Sequence, residues 1–448
     1  MMDSGYDYIA PDKLRLGLFV DLQLGWMSHP FPKGSFKISS LRQIETLRSL
    51  GLPQIRYVPA RSDPAPAVAV PGEQHDAESE FESDDQTQGL GSGTLVDDAA
   101  QQAARLQEEE LQRRLEHGEL IRTQNESLAR CDKQFDSAIR QYRQVIERLT
   151  DTPQDAAALC RQLVDGLVGD MLGQSESSIR LLSETTGDRA WMHPVNVTVL
   201  SLLLGKALGL QAPELQSLGV AAFLHDIGKI RLPDRVRLAD TNFAPAEYRV
   251  YQTHVAKGVD IAMQMGLSSE VQHTIGEHHE MMDGSGFPHN VPGTRISLAG
   301  KVLALVNRYE NMCNPARPST AVTPHEALSL IFSQMKDRFD LAVLAAFIRM
   351  MGVYPPGSVV QLSDGRFALV VSVNSARPLK PRVLVHEASV PKEQALILNL
   401  EQAPASGIRR SLRPDTLPRA AIDYLSPRLR ICYFFEQASD PARGGTAP

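Results

Sequence analysis

Two adjacent pairs of side chains could do chemistry: His225 with Asp226 in AFLHDIGKIRLPD, and His278 with His279 in GEHHEMMDGSGFP. With the single histidines His193 and His254 they supply enough nitrogen and carboxylate donors to hold two metal ions. A carboxylate can bridge two metals while neutral imidazoles fill the outer positions. Such a pair activates a water and clamps a phosphate during in-line displacement, so the pattern points to phosphoester hydrolysis. Lys229 lies three residues after Asp226 and four after His225. On a helical turn it shares their face and can meet a phosphate oxygen as a point charge.

Taken singly, these residues say little. A lone histidine on an apolar helix is usually a core or surface residue, and Asp226 alone reads as a helix cap. The set carries the reading. Five of the twelve histidines fall at the junctions of one helical segment, two of them adjacent and one beside an aspartate. His273, His289 and His325 fit no such pattern and read as structural.

The elements that must position these groups can be traced along the chain. Residues 155–351 show helical periodicity with short connections and contain all the metal-type residues, so a helical domain over 151–351 is expected. His225 and Asp226 end the apolar run LGVAAFL, and His278 and His279 end a helix just before the glycine-rich DGSGFP. The period then changes to that of strands. YPPGSVVQLSDGRFALVVSVN has a hairpin signal at Asp364 and Gly365, PRVLVHEA and residues 431–435 add further strands, and a small β domain is expected over 352–436. The tail 437–448 reads as disordered.

Upstream, residues 1–60 read as a small α/β module. LRLGLFVDL, FKI and QIRYV are its strands. Ser40 and Gln43 make a capping box, and Leu41, Ile44, Leu47 and Leu50 follow on one helical face that Gly51 ends. Residues 61–98 read as an acidic disordered linker. Over 99–150 the chain is strongly helix-forming. Leu128, Cys131, Phe135, Ile139, Tyr142, Ile146 and Leu149 recur at near-heptad spacing. That stripe leaves two uses open: packing on its own domain, or a homodimer through 128–149.

Length and composition set the bounds. At 448 residues with 42% apolar content, the chain fits a soluble protein of two or three domains. The most apolar stretch, 195–210, is broken by Asn196, Thr198, Ser201 and Lys206, so a membrane span is not expected. Cys131, Cys160, Cys313 and Cys432 show no paired spacing and fit reduced thiols. No signal peptide is evident, and a cytoplasmic location is expected. The net charge of −7 is concentrated: residues 71–98 alone carry −9, leaving the rest at +2. Basic residues do not cluster with aromatics, so nucleic-acid binding is not favoured.

The series His193, His225–Asp226–x–x–Lys229, His254, His278–His279–Glu280 and Asp283 to Pro288 resembles the HD-GYP family of bacterial cyclic di-GMP phosphodiesterases. The likeness covers about residues 190–345. The flanks resemble a subgroup with an accessory module on each side. The fold class it implies is multidomain and mainly α, a helical HD-type metal-dependent phosphohydrolase bundle with a small N-terminal α/β module and a small C-terminal β domain.

The resemblance implies two divalent metal ions, iron or manganese. His193, His225 and Asp226 would hold the first. Asp226 would bridge to a second, held by His254, His278 and His279. A bridging hydroxide would attack phosphorus with help from Lys229. Gly286, Phe287 and Pro288 stand for the family's Gly-Tyr-Pro and would border the substrate, as would Arg317. GGDEF-domain proteins are an implied partner class. Two departures bear on metal binding. Asn307 in ALVNRYENM sits where the family places a ligating aspartate, and Arg189 sits where members with a third metal carry a glutamate, which argues for two metals.

Three functions follow from these residues: hydrolysis of cyclic di-GMP to pGpG or GMP, binding of cyclic di-GMP or of partner proteins without turnover because of Asn307, or hydrolysis of another nucleotide phosphate. The extended HHExxDGSGFP motif counts against the last. Asn307→Asp restores an anionic ligand where the pattern expects one, and carboxylates suit hard or borderline dications better than an amide does. We expect the variant to load more metal or turn over faster, as measured by metal analysis and cyclic di-GMP hydrolysis.

Overall fold

The computed structural model describes residues 6–22, 35–50, 52–63, 94–173, 177–183, 189–237, 243–375, 377–403 and 406–437. The chain divides into two compact units. One gathers 1–23, 33–48 and 52–123. The other is 124–448 with the short segments 24–32 and 49–51.

In the first unit, β1 (Asp7–Ile9), β2 (Phe19–Asp21), β3 (Ser35–Lys37) and β4 (Ile55–Tyr57) form an antiparallel sheet in the order β1-β4-β2-β3, with α1 (Leu41–Ser49) between β3 and β4. Leu18, Val20 and Leu22 are buried at every second residue, which is the strand period. The expected capping box is present: the Gln43 backbone N–H donates to Ser40 Oγ, and Gln43 Oε1 accepts from the backbone N–H of Ser39 and Ser40. β1 lies before the stretch read as the first strand, where a three-residue strand leaves too short a pattern to detect. Gly51 and most of the expected linker lie outside the described residues.

The long helix α2 (Thr94–Arg148) starts five residues earlier than expected from 99. From residue 124 onward it belongs to the second unit. Its apolar stripe packs inside this unit. Cys131, Phe135, Tyr142 and Leu149 are buried in the unit's own core, joined by Ala138 and Val145, and Ile139 and Ile146 pack against that core from its edge. The Tyr142 ring meets Phe223 edge-on at 5.0 Å and Trp191 at 6.1 Å. Most of the near-heptad stripe is therefore packed within the chain's own domain.

The rest of the unit is built around α4 (Arg189–Ala207), which is buried on nearly all sides from Met192 to Gly205. A helix apolar all round belongs in the middle of a core. Against it pack α5 (Ala212–Leu224), α10 (Leu298–Cys313) and α12 (Leu341–Met351). Around these lie α3 (Pro153–Leu172), α6 (Asp234–Arg237), α7 (Pro245–Gln252), α8 (His254–Gln264), α9 (Ser269–Glu277) and α11 (Pro324–Met335). No helix among the described residues is long and apolar enough to cross a membrane.

The C-terminal strands do not stand apart as the sequence suggests. β5 (Ser177–Leu181), from the middle of the helical segment, pairs with β7 (Phe367–Asn374) on one side and with β11 (Tyr433–Gln437) on the other. β6 (Val359–Leu362), β8 (Arg382–Val385), β9 (Ile397–Asn399) and β10 (Ile408–Leu412) complete a seven-stranded antiparallel sheet, and α13 (Arg419–Leu425) precedes β11. The hairpin at Asp364 and Gly365 is present, with Gly365 at φ 91°. Phe434 and Phe435 share one core with Phe135, Phe223 and Tyr309. A boundary at residue 352 therefore divides the chain where packing is continuous, because β5 closes the sheet from within the helical segment.

Phe135→Ala empties a fully buried site in this core, so we expect a loss of about 3–5 kcal/mol by urea denaturation. If the stripe were instead a dimer seam, the same variant would change the sedimentation coefficient and leave monomer stability nearly intact.

Candidate metal centre

The groups singled out above arrive from separate helices at one buried point. His193 sits in the first turns of α4. His225 caps the C-terminus of α5, and Asp226 follows it at φ −97° and ψ 5°, the bridge region that lets the chain turn from a helix into the 3-10 segment Ile227–Arg231. His254 opens α8, and His278 caps α9.

Three imidazoles share one local device. The Nδ1 of His225, His254 and His278 faces the backbone carbonyl three residues earlier, that of Ala222, Tyr251 and Ile275, at 2.7, 2.6 and 2.6 Å. A carbonyl only accepts, so Nδ1 carries the proton and Nε2 turns a lone pair inward. His193 obeys the same rule by another route: its Nδ1 bonds the Glu310 carboxylate.

Asp226 divides its two oxygens between two clusters. Oδ2 lies 3.4 Å from Nε2 of both His193 and His225, and Oδ1 lies 3.5 and 3.8 Å from Nε2 of His254 and His278. His193, His225 and Asp226 form one possible ligand group, and Asp226, His254, His278 and His279 form another. Ligands about 2.1 Å from a common ion stand about 3–3.5 Å apart, which is the spacing seen here.

Two further observations fit a cation. Asp226 Oδ1 and His279 Nε2 are buried without a hydrogen-bond partner. The Nε2 atoms of His254 and His278 face each other at 3.3 Å while both Nδ1 atoms are committed as donors, leaving two lone pairs opposed. A metal ion removes that repulsion. The donor set of imidazole and carboxylate suits iron, manganese or zinc.

The electrostatics agree. Burial disfavours charge on Asp226, yet the Lys229 ammonium, His225 and the hydrogen bond from His193 hold its carboxyl well below the usual carboxylate range. Lys229 Nζ lies 2.5 Å from Asp226 Oδ2 and 5.3 Å from the centre of the Tyr251 ring. Burial would drain the Lys229 charge, but Asp226 raises its pKa. His254 is pushed down to about 4 by burial and the Lys229 ammonium, against the pull of Asp226. Burial and neighbouring imidazoles push His278 and His279 well below the ordinary imidazole value. These nitrogens are therefore free of protons near neutrality. His193 moves the other way: burial lowers it, but the Glu310 carboxylate prevails and raises it.

Glycine lets the backbones approach. A Cβ on Gly228 would sit 1.9 Å from the His254 carbonyl oxygen and 2.5 Å from the Gly258 nitrogen. That contact brings the Asp226 segment onto α8. A Cβ on Gly286 would lie 2.5 Å from the His279 carbonyl oxygen, so the DGSGFP loop lies directly on the His279 backbone. Phe287 donates its N–H to that carbonyl and stacks its ring on His279 at 4.4 Å. Gly286 and Phe287, read as substrate-facing, thus hold His279 in place, and Pro288 continues that loop.

Asn307 is buried on α10, and its side-chain oxygen accepts from Asn311 Nδ2 at 2.6 Å. Arg317 is exposed at the start of the 3-10 turn Pro318–Thr320. Arg189 is buried and donates to the Asn314 carbonyl and to Asn311 Oδ1.

The sequence reading gave two carboxylates no role. Glu280 is buried and accepts from the backbone N–H of His289 and Val291 at 2.7 and 2.9 Å, pinning the glycine loop. Glu310 is buried beside His193. Its signal was present in the spacing, since it follows Asn307 by three residues on one helical face. Its role depends on α4, more than one hundred residues away in sequence.

Residues 170–343 match the HD domain family, and residues 8–159 match a domain of unknown function, DUF3391. Among characterised proteins, the chain is 25% identical to a cyclic di-GMP phosphodiesterase of Pseudomonas aeruginosa over 84% of each chain. It is 28% identical to a cyclic di-GMP phosphodiesterase of Thermotoga maritima over 40% of this chain and 50% of that one. Superposition on an HDG"Y"P protein from Bdellovibrio bacteriovorus covers 76% of this chain and 98% of that one, at 14% identity and a TM-score of 0.39.

The shifted imidazoles predict how the metal-free protein responds to acid. His254 titrates near 6.5 when unfolded and at about 4 when folded. Between those values the unfolded chain holds the extra proton, so stability falls as pH drops from about 6.5 to about 4. His278 and His279 act with the same sign. His193, raised, acts oppositely: its contribution is present at low pH and is lost as pH rises through its folded value. The net expectation is acid destabilisation, up to about 1.4 kcal/mol per pH unit for each proton, read from urea denaturation at pH 7, 6 and 5. His254→Asn should flatten the slope.

Proposed function

We propose that this chain, an HD-domain protein of the HD-GYP kind, hydrolyses cyclic di-GMP at a centre of two divalent metal ions, iron or manganese. The observation that carries the reading is the divided carboxylate of Asp226, with one oxygen toward His193 and His225 and the other toward His254 and His278. The similarity to cyclic di-GMP phosphodiesterases over 84% of the chain supports the substrate. The accompanying reading is of a cytosolic second-messenger enzyme whose partner class is GGDEF-domain proteins.

In this reading His193, His225 and Asp226 hold one ion, and Asp226, His254, His278 and His279 hold the other. The bound ions would supply an activated water and neutralise charge on the scissile phosphate. The protein's own groups do the rest. Lys229 has three donor positions and spends one on Asp226, so the others can meet a phosphate oxygen. Tyr251 lies under its ammonium and limits its movement. Phe287 keeps the His279 ring in register by stacking, a task that needs no phenolic hydroxyl. Burial strips competing water from the nitrogens of His254, His278 and His279 and keeps them unprotonated.

One observation favours a second reading, ligand binding without turnover. Asn307 is neutral and already accepts from Asn311, so Asp226 is left as the one carboxylate for two dications in the proposed ligand set. The experiment that separates these outcomes compares the wild type with the His225→Ala, Asp226→Ala double variant. We expect about two metal ions per wild-type chain and release of pGpG or GMP. In the double variant metal content should fall and turnover drop to background, while far-UV circular dichroism is kept. Unchanged metal content would sink the ligand assignment. Metal-loaded wild type that binds cyclic di-GMP without cleaving it would favour the second reading.

A further inference from the structure

We infer that Glu310 is a positioning residue for the metal centre: it fixes the ring of His193 and holds its Nε2 toward Asp226. The inference rests on the metal-centre reading and deepens it, since neither the motif nor the family resemblance assigns Glu310 a role.

The geometry excludes a direct ligand role through His193's side of the site. Glu310 Oε2 bonds Nδ1 of His193, and Nδ1 and Nε2 lie on opposite edges of the imidazole ring. The carboxylate therefore stands behind the ring while Nε2 faces Asp226 and His225 at 3.4 and 3.1 Å. His225, His254 and His278 lean on neutral backbone carbonyls, whereas His193 leans on a carboxylate. A carboxylate partner makes an imidazole a stronger donor to a metal than a carbonyl does. The difference falls on the cluster of His193, His225 and Asp226.

Glu310 is itself held on every side. Oε1 accepts from Asn314 Nδ2 at 2.9 Å and from Asn196 Nδ2 at 3.5 Å. The Arg189 guanidinium lies 3.9 Å from Oε2. The two carboxamides are in turn bound to the end of the chain. Asn314 accepts from the Ile431 N–H and donates to the Ile431 carbonyl, both at 2.8 Å. Asn196 donates to that carbonyl at 3.0 Å and accepts from the Tyr433 N–H at 2.9 Å. The segment leading into β11 thus braces the residue that braces His193. This gives the C-terminal sheet a concrete role in the site.

The test uses the full chain, stripped of metal and titrated with Mn²⁺, with free Mn²⁺ followed by its electron paramagnetic resonance signal. Glu310→Gln keeps an acceptor for Nδ1 and removes the charge; Glu310→Ala removes both. We expect two binding steps in the wild type. One should weaken by about 10-fold in the Gln variant and about 100-fold in the Ala variant, the other staying unchanged, and Glu310→Asp should recover part of the loss. Thermal unfolding of the metal-free Gln variant should match that of the wild type. Wild-type affinity at both steps in the Gln and Ala variants overturns the inference. So does equal weakening of both steps in parallel with a lower unfolding temperature, which marks a purely structural role. Failure of the wild type to bind Mn²⁺ would instead overturn the metal-centre reading beneath it.

Discussion

A buried carboxylate divided between two groups of imidazoles is the constraint on which the site depends. Asp226 cannot leave the interior, because Lys229 and His193 bind one oxygen and the surrounding helices close over it. Nor is it satisfied by protein alone, since Oδ1 has no hydrogen-bond partner. Lys229 compensates its charge through Oδ2, but a buried carboxylate oxygen without a partner carries a desolvation cost that a cation beside Oδ1 would offset. The folded chain therefore holds a His/Asp arrangement suited to a cation.

That arrangement constrains the fold around it. Asp226 reaches the α8 histidine only because Gly228 lets two backbones touch at the His254 carbonyl. His279 stays in place because Gly286 and Phe287 lie on it and Glu280 ties down the following loop. His193 rides on the helix that forms the middle of the core, where displacement would disturb packing on nearly every side. Function and stability are coupled here through shared residues. Tyr142 and Phe223 join the long helix to the helix that presents His225. A change in either would reach the ligands without touching them.

Arg189 lies beside Glu310, the carboxylate bonded to His193, and donates to Asn311, which in turn donates to Asn307. Glu310 brings the second carboxylate near His193, but from behind the ring. The charge that tunes this site is therefore carried outside the ligand set, by residues anchored to the last strand of the sheet.

Much of this was legible in the sequence. The helical character of 151–351, the capping box at Ser40, the hairpin at Gly365 and the residues that converge on Asp226 all follow from local signals: periodicity, turn chemistry and the clustering of ligand-type side chains. What these signals share is short range. The stripe from Leu128 to Leu149 could announce an apolar face but not its partner, because a heptad spacing looks the same whether it meets a second chain or the protein's own core. The boundary expected at 352 followed a real change of period. It could not show that β5 enters the same sheet from the helical segment, because strand pairing has no signature across nearly two hundred residues. The spacing of Glu310 from Asn307 could place it on the same helical face but not name its partner: a carboxylate on an apolar helix gains its meaning only from the imidazole that packing brings to it. Residue types and spacing determined which chemistry the chain can hold. The tertiary structure alone decided which oxygen faces which nitrogen and what stands behind each ring.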